Sequence, residues 1–471
     1  MNYVFRRKFA LNLSKKLRIP LGEMSIINDF TDTDRGNLYP LVTDCGAEES
    51  ISEGIYSVNG KLRRLIGEHR FYHEYCISLL SFEGKVGISV ADNENNFTDI
   101  YVIKNENGYA LQCSVSDMTA EKIKDIPLDA EGISFSFRTG AVDVYYKKKD
   151  NLFLSESAEI KSMNGVNRYP FGYKALLFVD GKLKTDKIEV YIDNGVALAD
   201  MRPVRYEDGS LIYENGRVFF TMSSRLGKGG YQSVISWLPG TCDFRLEGMM
   251  LFDCGDGYIS ANVASSVIFN RKTNEYYIWM CCFSHGHVCG YGKTDCDIKH
   301  GISIIDITPM PKTETDDEKA FFGFEGDEDP DFYYDEENNR WLLTICRMRK
   351  KEKGRSYSYV RFESDNPFDN YRYLDATNDF GETGGTTVKI GDKRYFICGA
   401  EKEYRIYDAD NLKLIEKAQF DYPDGGFRGW GTVVPVTCGN KKKLYWVTFD
   451  RVLGSNYNWS YGNLYVYEAE E

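Results

Sequence analysis

The chain has 471 residues, more than one ordinary core organises, so two domains are expected. Its 71 acidic residues against 58 basic ones leave a net charge of −13, which counts against nucleic acid or an anionic membrane as a partner. No apolar run of about 18 residues occurs, so no helical membrane span is expected. Aromatic residues make up 14% of the chain, with 34 Tyr and 28 Phe. β-Branched and aromatic runs dominate over long segments of helical period, so the fold class is all-β.

Met1 to Arg18 is basic but has no uninterrupted apolar core. It is read as a short surface strand or helix, not an export signal. The 12 cysteines are scattered, often within apolar strands, and are expected to be free thiols in a reducing cytoplasm. From there to about residue 192, short alternating runs are broken by turns: Tyr75 to Leu80, Val86 to Val90, Ile100 to Lys104, Gly132 to Arg138, Ala141 to Tyr146 and Lys174 to Val179. Strands at this spacing predict a jelly-roll-like β-sandwich over residues 1–192. The strict alternation of Gly132 to Arg138 predicts one buried and one wet face. This part either binds glycans or supports its neighbour.

The turn Asp193-Asn194-Gly195 marks the join, and residues 193–471 form the second domain. Here one layout repeats roughly every 50 to 65 residues, the period of a propeller blade. Each copy has a strand start, a polar turn and an aromatic strand. The starts lie at Asp200, Ala264, Asp329, Glu382 and Trp430. Their partner strands include Val218 to Met222, Tyr276 to Trp279, Arg340 to Cys346, Arg394 to Ile397 and Leu444 to Val447. Five units predict a five-bladed β-propeller whose first strands converge on one pocket. Pro330 lacks an N–H and is placed at the first residue of its strand, with Asp329 at the entrance. Cys281 to Ala320 is read as a long insertion beside the channel mouth.

Three of the five starts carry carboxylates: Asp200, Asp329 and Glu382. Hydrolysis of a glycosidic bond needs one carboxylic acid to protonate the leaving oxygen and a second carboxylate on the other face. A third can hold sugar hydroxyls and raise the acid's pKa by like-charge repulsion. Arg202, two residues after Asp200, is expected on the same face of an extended strand. His285 and His287 are candidate pocket histidines. Neither paired Cys-x-x-Cys nor helical His spacing surrounds them, so no metal is expected. Trp430 is a candidate platform for a sugar ring by its place in the repeat.

With this order of acids, the last 280 or so residues resemble the five-bladed β-propeller glycoside hydrolases, the group of arabinanases, arabinofuranosidases, xylosidases and fructosidases. The resemblance rests on Asp200, on Asp329-Pro330 and on Glu382-Thr383-Gly384-Gly385. It departs at Asp200-Met201-Arg202-Pro203, where Asp-Pro is usual. It implies Asp200 as base or nucleophile, Asp329 as transition-state stabiliser and pKa modulator, and Glu382 as general acid. The expected function is an exo-acting, cytoplasmic glycosidase on a small oligosaccharide, a furanoside or pentoside favoured, without a cofactor. Two readings compete. One is a non-catalytic carbohydrate-binding protein. The other is a glycoside phosphorylase or transferase, whose phosphate would need Arg202, Arg225, Arg347 and Arg428.

Overall fold

A computed structural model of the chain describes residues 4–12, 18–20, 26–28, 46–92, 96–114, 118–122, 125–138, 140–149, 151–161, 163, 172–193, 198–226, 229–257, 259, 262–313, 315, 323–377, 381–400, 403–421, 431–438, 441–451 and 461–470. The described residues contain strands and turns but no α-helix. The chain divides into two compact units. One comprises Ser14–Val196 with Leu226–Gly229; the other comprises Met1–Leu13, Ala197–Arg225 and Gly230–Glu471.

The first unit holds an eight-stranded and a six-stranded sheet. In the eight-stranded sheet, Gly132–Arg138 lies between His73–Ser78 and Ala141–Lys148. Its seven residues are all buried, which corrects the expectation of a wet face. Alternation here separates two chemistries. Ile133, Phe135 and Phe137 lie on one side. On the other, Ser134 donates to Glu74, and Ser157 donates to Asp143 at 2.5 Å. Glu74, Ser136, Asp143 and Ser157 stand opposite one another on four adjacent strands. Polar residues can be buried when their hydrogen bonds are made inside, so a period of two reports which residues share a face and not whether water reaches it.

The second unit contains five sheets. Four contain Leu198–Pro203, Asn262–Asn270, Gly323–Asp335 and Thr383–Ile390 as their first long strands, each followed by antiparallel neighbours, and the short Arg205–Tyr206 pairs parallel on the other side of Asn262–Asn270. The fifth runs Thr432–Cys438, Lys441–Arg451, Tyr461–Glu470 and then Val4–Asn12. Val4–Asn12 therefore belongs to this unit, although its position in the sequence placed it with residues 1–192. Each first strand lies beside the first strand of the next sheet, and the fifth lies beside the first.

Neighbouring sheets are held together by side chains sorted by strand period. On Arg340–Lys350, Trp341, Leu343 and Ile345 join Trp279 of the second sheet in one core. Leu342 and Cys346 join Phe396 and Tyr407 of the fourth sheet in another. Fully burying one leucine stabilises by about 1.5–3 kcal/mol, so each aromatic strand feeds two interfaces at once. Asn215, Asn274 and Asn339 take positive φ in the turns between first and second strands, as short polar turn residues do.

The segment read as an insertion is instead part of the sheets. Val288–Thr294 is the third strand of the second sheet, and Thr308–Pro309 is its fourth. Gly301–Asp306 runs parallel to Phe244–Asp253 at the outer edge of the first sheet. Cysteine, glycine and histidine disguise this strand, but the glycines are required. A Cβ at Gly290 would lie 2.4 Å from Cys282 Sγ, and one at Gly292 would lie 2.3 Å from the Asp306 carbonyl oxygen. Residues 316–322 of the segment lie outside the described residues.

Close packing also governs the start of the fourth sheet. A Cβ at Gly385 would sit 2.2 Å from Phe396 Cζ and 2.7 Å from Tyr359 Cζ. Gly385→Ala is therefore expected to destabilise the protein by about 1–3 kcal/mol through overpacking. A lower denaturant midpoint at unchanged m-value would register it. An unchanged midpoint would show that both rings move aside freely.

Candidate active site

The first strands of four sheets share one local device. Asp200, Ala264, Asp329 and Gly384 all have positive φ, between 51° and 66°. Each sits at a register break: Ala199/Arg202, Val263/Ser266, Glu328/Asp331 and Thr383/Thr386. These are β-bulges, which re-aim a side chain that regular pleating would lock in alternation. Holding a non-glycine residue there costs on the order of 1–3 kcal/mol, and Asp tolerates it better than most. Ala264 occupies the same position without a functional group, so the bulge belongs to the repeat and the carboxylates are additions to it. Residue 430, the fifth position by this count, lies outside the described residues, and so does the Trp430 ring proposed as a platform.

Two sequence expectations change here. Pro330 does not open its strand: Gly323–Asp335 begins seven residues earlier, and Pro330 lies within the bulge, where no ladder partner is lost. Glu382 is not at the repeat-equivalent position, which Gly384 holds. It lies two residues earlier, level with Asp327 in the third sheet.

The network around Asp329 nonetheless joins three sheets. Asp329 is 2% exposed. One carboxylate oxygen accepts from Thr383 Oγ1 at 2.6 Å and from the Gly384 N–H at 3.0 Å. The other lies 3.8 Å from Arg202 Nη2. Arg202 Nη1 donates to the Pro330 carbonyl oxygen. Burial works against the Arg202 charge, but the Asp329 and Asp331 carboxylates outweigh it and push the guanidinium pKa up. The bulge between Ala199 and Arg202 breaks the alternation on which a shared face for Asp200 and Arg202 was expected. Arg202 serves instead as the link from the first sheet to the third. Asp200 itself is 1% exposed.

Glu382 is fully enclosed. Thr377 Oγ1 donates to it at 2.6 Å, Arg405 Nη1 at 3.1 Å, and the Tyr407 hydroxyl donates to the same oxygen as Arg405. Burial raises its carboxyl pKa, and the bonds from Thr377, Tyr407 and Arg405 only partly offset the shift. The direction is that of a general acid, which must keep its proton near neutral pH.

His285 and His287 part company. His285 Nδ1 pairs with Ser284 Oγ at 2.9 Å, and its Nε2 lies 3.6 Å from Asp256. Nothing in this geometry joins it to the Asp329 network. His287 Nε2 is 3.5 Å from Glu328, and its carbonyl oxygen accepts from the Asp327 N–H at 2.8 Å. It therefore flanks the turn that carries Asp329. Ligand atoms of Glu328, Asp329 and Cys346 lie within 4.8 Å of one another. Asp329 already binds Thr383 and Gly384, and the Arg202 guanidinium stands beside it, so this trio is described better by hydrogen bonding than by a cation site.

Two residues that the sequence reading missed form the hub behind these turns. Arg205 Nη2 donates to Asp331 at 2.6 Å and to Ser266 Oγ at 2.9 Å, and its Nη1 donates to the Thr387 carbonyl oxygen. Asp331 also accepts from the Thr387 N–H at 2.7 Å and from Ser266 Oγ at 2.9 Å. The signal was present in Asp329-Pro330-Asp331, two carboxylates in one first strand. Among the four arginines offered for phosphate, Arg347 is held by both oxygens of Asp327 at 2.8 Å each, and Arg428 and the Arg225 side chain lie outside the described residues.

No family model matches the chain, and no curated protein does. Solved structures do. A thermostable family-43 glycoside hydrolase is 12% identical at a TM-score of 0.39, over 58% of this chain and 89% of that one. A GH43 β-1,3-galactosidase with galactodeoxynojirimycin is 10% identical at 0.36, over 58% and 94%. The catalytic domain of a GH62 α-L-arabinofuranosidase from Coprinopsis cinerea is 11% identical at 0.36, over 58% and 90%. The chain is similar to these glycoside hydrolases at a level that leaves its activity to be argued from its own side chains.

Proposed function

We propose that the five sheets close into a five-bladed β-propeller carrying a glycoside hydrolase site, and that the other unit is a β-sandwich. In this reading Asp200 is the base or nucleophile, Asp329 positions the sugar, and Glu382 is the general acid. One observation carries it: the path from Arg202, two residues after Asp200, across a 3.8 Å ion pair to Asp329 and by a hydrogen bond on to Thr383, next to Glu382. It ties the three acid-bearing turns into one network. The raised Glu382 pKa gives the acid its direction. The substrate class is a small oligosaccharide cleaved from its end, in a cytoplasmic setting. Among the described residues ten cysteines are free.

A panel of nitrophenyl glycosides, assayed with and without inorganic phosphate, tests the reading. Release of nitrophenol from a furanoside or pentoside without phosphate is the expected result. Turnover only with phosphate would transfer the assignment to a phosphorylase. The enclosure of Glu382 favours a second reading, a sugar-binding protein that does not cleave, because Thr377, Tyr407 and Arg405 already occupy that carboxylate. Saturable binding of an oligosaccharide that is never cleaved would select it.

A further inference from the structure

Two thiols from different sheets pack into one apolar cluster outside the carboxylate network. Cys254 follows Phe244–Asp253 of the first sheet and is half-buried. Cys282 ends Glu275–Cys282 of the second sheet and is fully buried. Both belong to the apolar cluster of Phe252, Met280 and Ile305. Asn262, the register partner of Cys282, donates from Nδ2 to Cys254 Sγ at 3.2 Å.

We propose that Cys254 and Cys282 form an oxidisable dithiol, a modification site at which a hydroperoxide closes a disulfide between the first and second sheets. Cys254 is the attacking sulfur because it alone of the pair reaches solvent. The neighbouring Cys282 thiol lowers its thiol pKa; burial opposes, and the Asn262 amide adds to the lowering. Reactive cysteines are those whose thiolate is favoured and accessible. Cys281 and Cys289 make the contrast. They face each other in register, but neither reaches solvent to start the reaction as the half-buried Cys254 does; Cys282, whose thiol is likewise pushed up, only follows.

The chemistry balances in two steps. The Cys254 thiolate attacks hydrogen peroxide, an S–O bond forms and the O–O bond breaks. The released hydroxide takes up the proton that Cys254 lost and leaves as water, with Cys254 now a sulfenic acid. The Cys282 sulfur then attacks Cys254 sulfur and gives its proton to the departing hydroxyl. The S–S bond forms, the S–O bond breaks and a second water leaves. The bridge would fix the strand end next to Cys281, whose Sγ accepts from the Asp329 N–H at 3.1 Å.

The test treats the whole protein with hydrogen peroxide, alkylates the remaining thiols and maps unreduced peptides by mass spectrometry. A Cys254–Cys282 cross-linked peptide that dithiothreitol removes is expected. Cys254→Ser should abolish it, and Cys282→Ser should leave Cys254 as a sulfenic acid trapped by dimedone. If Cys282→Ser does not fold, Cys254→Ser at its half-exposed site still decides the question. Cys254 remaining fully alkylated while the exposed Cys242 and Cys296 are oxidised overturns the proposal. So does Cys254 appearing only in disulfides with another chain.

Discussion

Asp200→Asn and Glu382→Gln are each expected to cut turnover of a cleaved glycoside by about 10²–10⁴-fold, the usual contribution of a general acid or base. Both changes keep volume and remove only the ionisable function, so folding should survive. The two losses should differ in kind. A leaving group that needs no proton should restore the first step in Glu382→Gln but not in Asp200→Asn. Asp329→Asn should also be slowed, because a weaker acceptor replaces the carboxylate held by Thr383 and Gly384. Near wild-type rates in all three variants would end the catalytic reading.

Glu382 adds a stability signature. Its folded pKa is raised by burial, so the fold favours the protonated form. The stabilisation is complete below the unfolded glutamate value of about 4.3 and is lost as pH rises through the folded value. Glu382→Gln should flatten stability against pH over that window, read by denaturant titration at several pH values. An unaltered profile would show that Glu382 titrates alike in both states.

Removing one partner of the Arg205–Asp331 pair should produce the largest loss of stability. Both side chains are buried and touch at 2.6 Å. Arg205 pairs into the second sheet and Asp331 lies in the third, and their bonds reach Ser266 of the second and Thr387 of the fourth. Arg205→Met leaves the Asp331 charge buried without its counter-ion, at a cost of about 3–5 kcal/mol. Asp331→Leu strands the guanidinium in the same way. The double variant should recover much of either loss, because an apolar pair carries no desolvation cost. Chemical denaturation of the four proteins closes the cycle and gives the coupling directly. A single-variant loss below about 1 kcal/mol, the level of an exposed ion pair, would show that water reaches the hub.

What the sequence determined by itself was local. Apolar alternation marked the aromatic strands, and Asn215, Asn274, Asn339 and Gly391 marked the turns before them, because a turn's positive φ restricts the residue that can occupy it. The acids at Asp200 and Asp329 were legible as members of the repeat, but the structure places both at bulges inside their strands and not at strand starts. Partners distant in sequence were not. Val4–Asn12 joins Tyr461–Glu470 and Gly301–Asp306 joins Phe244–Asp253 through backbone hydrogen bonds, which carry no side-chain signature. Arg205 meets Asp331 across 126 positions, a contact set by how successive sheets lie against one another. The serines of Gly132–Arg138 read as a wet face until Glu74 and Asp143 were found on the neighbouring strands. The tertiary structure alone decided these points: period fixes which side chains share a face, and only the packed neighbours decide what that face meets.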